Sequence, residues 1–542
     1  MSKRRRDRSD SDLPPKRIRT VDLRSVDRLS GLSNELLLHI LSFLSVSSLN
    51  ICQRLSHRFH ALGGDSELWK RQYYSQWVQP RARRLANSKR TTLPARADYS
   101  PRVANWFDHG HLEHEGNWKR QYRLRHNWSR GLCRVTEVEF PEPPCPPTLV
   151  RFCAGIVFTV DSACGLRAWT ANDPASCLAS VSLSTRPNSP VNPTALAVSQ
   201  SYGNIVISVG TENGHLSLFL LDPQTSKLAL QSSYAACNGA ITAMAMSTSY
   251  LLVVSQYTNL ILYDMHHGSH QKWQYSGAAT PRQLASLKAD NILAPMTLSL
   301  RVSQSDIIAT VVYSFFHIGC GWSIGIQELR LNKDGQQLDS RLATTVDSQY
   351  GVRPSRGSQP SKRHSAEPGQ SQSTPGAPFI LHQQPPTSLS YSHPYLLTSH
   401  ADNTLTMYLV VSTADDLFVQ GGRRLWGHTS SVSAVQVTKR GKAVSVSSRG
   451  DEIRIWELET AISSLGTRKA PKEEHGIQLS AGSKHEPAPA LPRTLSESLN
   501  SKSQETSPLS IMQDCVGFDE ERVLLLREKG VGTQLLECYD FT

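Results

Sequence analysis

Two places in this chain carry residue types at a spacing that suggests chemistry. Gly321-Trp322-Ser323-Ile324-Gly325 spells Gly-x-Ser-x-Gly, the pattern that puts a serine nucleophile on a sharp strand-to-helix turn. The residues that follow, Ile326-Gln327-Glu328-Leu329-Arg330, continue in strand-like fashion with no sign of a helix. Ser323 therefore reads as a small residue within a strand. His266, His267 and His270 lie just after an apolar run, with Asp264 as their only nearby acid. A metal needs convergent ligands, and a polar turn is the simpler reading. The chain has no P-loop and no His-Glu-x-x-His, the patterns that would hold a phosphate or a catalytic zinc. It is expected to be non-catalytic, with no cofactor and no metal.

What remains to be explained is how so long a chain is organised and what it holds. At 542 residues there is room for several domains. The ten cysteines are scattered, with no Cys-x-x-Cys pair, which argues against a structural zinc site or a disulfide scaffold. The compartment expected from this is reducing, nucleus or cytosol, where the acceptor pattern Asn127-Trp128-Ser129 carries no glycan. No apolar stretch is long enough to cross a bilayer, and the charged start lacks the apolar core of a secretory signal.

The chain is basic, with 58 Lys+Arg against 46 Asp+Glu and a net charge of +12. Residues 1–28 hold ten basic residues and five aspartates, so +5 of that excess sits at the front. Two clusters stand out there, Lys3-Arg4-Arg5-Arg6 and Lys16-Arg17-Ile18-Arg19. Separated by a polar spacer, they read as a two-part nuclear import signal. A solvated basic tail touching nucleic acid without specificity is the alternative. Another basic run lies at Arg81-Ala82-Arg83-Arg84 with Lys89-Arg90. Residues 1–28 are expected to be a disordered tail, and the protein to be nuclear, with a cytoplasmic share also allowed.

The next segment is helical in pattern. In Leu32-Ser33-Asn34-Glu35-Leu36-Leu37-Leu38-His39-Ile40-Leu41-Ser42-Phe43-Leu44, apolar residues recur at 36, 37, 40, 41 and 44. Ser33 or Asn34 can cap the helix, and Glu35 puts a negative charge in its first turn. Leu49, Cys52, Leu55 and Phe59 line a second helical face, and Leu68-Trp69 follow. So short a module buries little surface by itself, which suggests that a partner covers it.

These residues resemble an F-box. The family pattern is Leu-Pro-x-Glu-Leu, Ile-Leu-x-x-Leu, Leu, Val-Cys-x-x-Trp and Leu-Trp. It falls here on Leu32-Ser33-Asn34-Glu35-Leu36, Ile40-Leu41-Ser42-Phe43-Leu44, Leu49, Leu55-Ser56-His57-Arg58-Phe59 and Leu68-Trp69. Ser33, Leu55, Ser56 and Phe59 depart from it while roughly keeping size or capping role. The resemblance covers residues 29–78. It implies binding to the Skp adaptor of cullin–RING ubiquitin ligases, with Leu32, Leu36, Leu37, Ile40, Leu41, Leu44, Leu55, Phe59 and Trp69 packing into that adaptor or into the box's own small core.

Residues 79–131 read as a linker, with a basic helix near 112–126 in which Trp118, Tyr122 and Leu124 can dock. In related F-box proteins, helices at this point set the distance between adaptor and substrate surface.

From about residue 146 the texture is β. Short apolar runs alternate with Gly, Asn and Asp turns, and many end on an aromatic: Trp169, Phe219, Tyr263, Tyr408, Trp456 and Tyr539. A recurring unit of this kind marks a β-propeller, with a two-sheet sandwich as the alternative. Seven strand clusters lie near 146–172, 192–222, 238–266, 292–332, 378–412, 426–460 and 511–541. The alternating run 132–140 is expected to supply the outer strand of the last blade and close the ring, which would remove exposed sheet edges. The fourth cluster is irregular, because Trp322 opens its last run and does not close it.

The repeats resemble degenerate WD repeats. The resemblance implies a hydrogen-bonded set that pins each blade, and His428, Ser448 and Trp456 match it in the best repeat. The expected Asp does not: Gly450 occupies its place and Asp451 is displaced by one. Asp402 is correctly placed before Tyr408. Inserts at 347–376 and 462–509, rich in Ser and Pro, are expected to be disordered within the propeller region 132–541. Thr374-Pro375 and Ser507-Pro508 are weak phosphorylation motifs.

Together these features describe a multidomain chain: a small all-α F-box followed by an all-β, WD-repeat-like propeller of about seven blades. The resemblance implies a substrate receptor of an SCF-type ubiquitin ligase. The F-box would bind the Skp adaptor, and through it the cullin and RING subunits. The propeller would hold an unidentified target protein. Propellers of related receptors often read phosphorylated degrons through arginines, but Arg167 and Arg454, each two residues before a terminal Trp, are expected to pack within blades. A membrane partner is not expected, and nucleic acid is the lesser alternative. The main alternative function is a nuclear scaffold acting without the ligase.

Overall fold

The computed structural model describes residues 29, 31–79, 117–141, 148–171, 173–183, 191–201, 203–247, 249–256, 259–265, 281–288, 293–303, 306–349, 380–413, 416–448, 452–458, 476–479, 516–528 and 533–542. The basic clusters of residues 1–28, the His266-His267-His270 trio and the two Ser/Thr-Pro motifs lie outside them. The chain divides into two compact units.

The first unit is helical. Helices α1 (Asn34–Leu41), α2 (Val46–Cys52), α3 (His57–Gly63) and α4 (Ser66–Tyr73) follow one another closely. Each starts on a residue able to satisfy otherwise unpaired N–H groups of a first turn. Ser33 accepts from the Leu36 amide, Ser45 from Ser48, Ser56 from Phe59, and Asp65 from Glu67 and Leu68. Leu41, Leu49 and Leu68 form the core, with Leu38, Leu44, Cys52, Phe59 and Leu62 packed around them. After α4 the chain takes one wide turn, Tyr74–Val78. Helix α5 runs from Trp118 to Arg130, displaced from the expected 112–126. Its residues 118–122 belong to the first unit. There the rings of Tyr122 and Trp69 meet edge to face at 5.2 Å, and Tyr122 donates to Gln76 at 2.5 Å.

The second unit contains, among the described residues, seven four-stranded antiparallel sheets. Six are consecutive in sequence, spanning 149–181, 193–235, 241–288, 293–344, 388–425 and 432–478. The first strands of neighbouring sheets touch in turn around a ring, and the last touches the first, so the sheets are blades of a propeller. The apolar clusters are shared between blades. Leu252 and Leu262 of the third pack with Leu300, Ile307 and Leu329 of the fourth. A turn such as Thr211–Gly214 requires glycine: Gly214 has φ of 77°, and a Cβ there would lie 2.0 Å from the Cys237 carbonyl oxygen.

The seventh blade closes the ring. Strands Val516–Phe518, Arg522–Glu528 and Thr533–Asp540 are joined by Arg134–Pro141 from the start of the unit, with Arg134 opposite Asp540. This is the place expected for the run 132–140. The second half of α5 packs on this blade. Trp128 stacks on Phe541 at 4.0 Å and donates its indole N–H to the Glu520 carbonyl at 2.7 Å. Asn127 is engaged as well, its amide donating to the Phe541 carbonyl at 2.8 Å.

Three boundaries differ from expectation. The first, second, third, fifth and sixth blades continue past their terminal aromatics into an outer strand, so the second ends at 235 and the third at 288. The stretch 462–509 is not wholly an insert: Ile477–Gln478 is the outer strand of the sixth blade, with Ile477 opposite Ile455. The stretch 347–376 begins inside a short helix, α6 (Thr345–Gln349).

Candidate functional site

Helix α1 is apolar nearly all round, and the fold divides its side chains between two tasks. Leu37 and Leu41 are buried in the module itself. Leu36, Ile40 and Phe43 point to solvent, as do Leu29, Ile51 and Leu55; Phe43 is 68% exposed and Leu55 67%. The expected set divides accordingly between the module's own core and its open face. Trp69 is buried and donates its indole N–H to the Gly63 carbonyl at 2.8 Å. Leu37, Leu41 and Trp69 are interior residues, Leu44 and Phe59 pack on the core, and Leu32 is half-buried. Leu36, Ile40 and Leu55 are available to a partner. Phe43 and Ile51 join them, two residues that the motif did not single out.

Polar contacts hold this face in shape. The guanidinium of Arg58 donates to the Leu32 carbonyl at 2.6 Å and to the Asn34 side chain at 2.8 Å, fixing the entry to α1. Arg71 donates to the Ser42 hydroxyl at 2.9 Å and lies 5.6 Å from the Phe43 ring, and His39 meets that ring edge-on at 5.0 Å. Phe43 is thus held in one place while its outer face stays open. The Glu35 carboxyl is held below its usual range by the backbone N–H and the Ser33 hydroxyl beside it.

In the sixth blade His428 and Trp456 share a buried hydrogen-bonded set, and its serine and acid are not the ones expected. The hydroxyl between His428 and Trp456 belongs to Ser445: His428 Nε2 lies 2.6 Å from its oxygen, and Trp456 Nε1 donates to it at 2.8 Å. Ser448 is exposed and pairs with Ser431 instead. The acid is Glu452. It accepts from the Thr429 amide at 2.9 Å, lies 3.5 Å from His428 Nδ1, and receives Arg454 at 2.7 Å. Asp402 does not reach a histidine–serine pair. It caps its own turn by accepting from the Thr404 amide and hydroxyl, and it faces Arg424 at 3.6 Å.

The first blade keeps half of the arrangement, Trp169 donating to Thr159 at 2.9 Å. Arg167 and Arg454 pack within their blades as expected, Arg167 on Asp161 at 2.7 Å and Arg454 on Glu452. Ser323 is buried in the strand Gly321–Asn332, its hydroxyl donating to the Gly321 carbonyl at 3.3 Å. The strand runs straight through it, so no nucleophile elbow forms. Among the described residues no three His, Cys, Asp or Glu side chains gather as metal ligands.

Comparison with known proteins places this geometry. Residues 34–75 match the F-box-like family, and residues 133–542 match the family described as the F-box protein pof12 beta-propeller. F-box protein pof12 of Schizosaccharomyces pombe is 22% identical over 458 residues, covering 81% of this chain and 86% of its own. Among solved structures, the computationally designed Ika8 protein covers 72% of this chain and 83% of its own at 14% identity. Its TM-score of 0.34 is too low to support any conclusion. With 133–542 matched, well over half of its length, the chain belongs to the F-box protein pof12 beta-propeller family and carries an F-box-like domain ahead of that propeller.

Proposed function

We propose that this protein is the substrate-recognition subunit of an SCF-type cullin–RING ubiquitin ligase. The observation that carries the reading is the open apolar face of the helical module: Leu36, Ile40, Phe43, Ile51 and Leu55 are exposed together while its own core is complete without them. F-box domains generally bind Skp adaptors, and a contiguous exposed apolar face marks an interaction site. The propeller then holds the target. Tethering raises the effective concentration of target lysines near the charged enzyme, and this chain itself forms and breaks no covalent bond. The degenerate WD-repeat character of the propeller is part of the same reading, supported by the His428–Ser445–Trp456–Glu452 arrangement. The basic clusters at Lys3–Arg6 and Lys16–Arg19 support nuclear import.

The test is co-purification with the Skp adaptor, comparing wild type with an Ile40→Lys/Phe43→Lys variant. Both positions are exposed, so the variant is expected to keep its fold and lose the complex, because a lysine buried in an apolar interface is strongly unfavourable. Failure of the wild type to form a stoichiometric complex would overturn the reading and favour a scaffold.

A further inference from the structure

The fourth blade is built differently from its neighbours. Its second and third strands, Asp306–His317 and Gly321–Asn332, pair from Asp306 opposite Asn332 to His317 opposite Gly321. The corresponding pairing in the fifth blade runs only from Tyr395 opposite Leu409 to Ser399 opposite Leu405. In the fourth blade the inner strand stops at Leu293 opposite Ser314, and the outer strand reaches only to Thr344 opposite Gly325. Residues 315–323 therefore project as a two-stranded ribbon beyond the rest of their own blade. In an antiparallel four-stranded blade, the turn between second and third strands shares one rim with the connection to the next blade. The ribbon thus stands on the rim that also carries residues 380–387 and 426–431, at the opposite end of the strands from the turn where Trp128 is anchored.

One side of the ribbon tip is apolar and open, while Cys320 on the turn is buried. Ile318 is 98% exposed, and Phe316 is exposed with its ring edge-on to Trp322 at 6.0 Å. The surface continues onto the next blade. The Trp322 amide donates to the His382 carbonyl at 2.9 Å, and Gly321, with φ of 68°, lies close enough that a Cβ would sit 2.4 Å from that carbonyl oxygen. Leu381 beside it is exposed. Arg424 donates to the Leu381 carbonyl at 3.2 Å, and its guanidinium lies 5.9 Å from the exposed Trp426 ring. Single exposed apolar residues are ordinary, but a contiguous set with three aromatic rings and an arginine has the composition of a binding hot spot.

The charge at the centre of this surface specifies what it fits. Arg424 has five N–H donors, and among the described residues it makes one hydrogen bond, to Leu381. Asp402 stands 3.6 Å away, too far for a hydrogen bond, and its other oxygen is occupied by Thr404. A carboxylate arriving from outside can take the forked bidentate geometry that Asp402 does not. The surrounding rings would exclude water from that pair and strengthen it.

We propose that the rim formed by Phe316, Ile318, Trp322, Leu381, Arg424 and Trp426 docks a short segment of the target protein in which a carboxylate is flanked by bulky apolar side chains. This rests on the receptor reading and names the chemistry of its target.

The test pans a randomised library of displayed short peptides against the full-length protein, then titrates labelled copies of the enriched peptides by fluorescence anisotropy. The expected peptides carry Asp or Glu beside Leu, Phe or Trp. Arg424→Glu should weaken them roughly tenfold or more, and exchanging the peptide's acid for Lys should restore binding to that variant. Phe316→Ser/Ile318→Ser, at positions that contribute no core, should weaken them by a similar factor. Enriched peptides that bind all variants equally, or that need no acid, overturn the proposal. Adaptor capture by the same preparations keeps the two readings apart. Adaptor captured with no peptide enriched removes this surface and keeps the receptor, whereas peptides bound with no adaptor captured does the reverse.

Discussion

The indole N–H of Trp456 donates to the hydroxyl of Ser445 at 2.8 Å, and that same oxygen lies 2.6 Å from Nε2 of His428. The bond joins the third strand of the sixth blade to its second, and the histidine ties both to the incoming connection from the fifth blade. All three side chains are buried, so each bond is made where water cannot replace it. Ser445→Ala leaves two buried polar groups without this partner and is expected to cost about 1–3 kcal/mol of stability. Ser448→Ala, at an exposed site, is expected to stay within about 0.5 kcal/mol of wild type. Urea unfolding of the two variants side by side checks the assignment, and a larger loss for Ser448 would refute it.

The division of α1 into an inner and an outer face makes a second prediction. Leu41→Ala removes a core side chain and should destabilise the helical module by about 2–5 kcal/mol. Leu36→Ala and Leu55→Ala should leave stability nearly unchanged while weakening adaptor binding. Thermal unfolding and calorimetric titration with the Skp adaptor separate the two classes. If Leu36→Ala unfolds the module, the assignment of faces is wrong.

In the fourth blade the carboxylate of Glu328 is fully buried. It receives Arg301 at 2.5 Å, Arg341 at 2.9 Å and the Ser412 hydroxyl of the fifth blade at 2.7 Å. Glu328→Gln would take the buried counter-charge from both guanidiniums, leaving Arg341 only the half-exposed Asp339, and is expected to cost about 3–5 kcal/mol. Asp339→Asn, the half-exposed partner of Arg341 at 3.5 Å, should cost less than about 1 kcal/mol. Equal effects in denaturant titrations would show that burial does not set the difference.

A buried histidine pair should make the propeller sensitive to mild acid. The rings of His382 and His400 stack at 3.8 Å, with Thr398 2.8 Å from His400 Nε2 and Thr406 3.4 Å from His382 Nε2. Burial, with Arg424 nearby, pushes His382 down to about 4, and burial with the neighbouring ring pushes His400 down to about 3; Asp402 opposes both. An unfolded histidine titrates near 6.5. Between that value and the depressed ones the unfolded chain binds more protons, so stability falls as pH drops through this window and is unaffected above it. Denaturant midpoints from pH 7.5 to 4.5 should fall for wild type and fall less for His400→Asn. An identical slope in the variant would remove the pair as the cause.

Much of the architecture is legible in the sequence because it depends on local rules. Ser33, Ser45, Ser56 and Asp65 cap their helices through contacts two or three residues away. The blades announce themselves through alternation and through aromatics that fall on third strands. Closure by 132–140 follows from having one strand left over at one end and one wanting at the other. The two-residue strand Ile477–Gln478 is too short to leave any such pattern, and it is recognisable only by its place beside Ile455.

The sequence by itself determined which elements form and in what order, because capping, periodicity and turn chemistry act between near neighbours. Only the tertiary structure decided which side of an element is used. Leu36, Leu37, Ile40 and Leu41 are alike in sequence, yet Leu37 and Leu41 are buried, Leu41 against Leu49 and Leu68, while Leu36 and Ile40 are left out. Ser445 and Ser448 are equally plausible partners for Trp456 and His428 until strand register brings Ser445 within reach of both. The rim from Phe316 to Trp426 has no signature along the chain, since its residues come from segments far apart in sequence that meet only because blades pack side by side. Local physics is written in spacing, whereas contacts between distant segments depend on register and burial that no single stretch encodes.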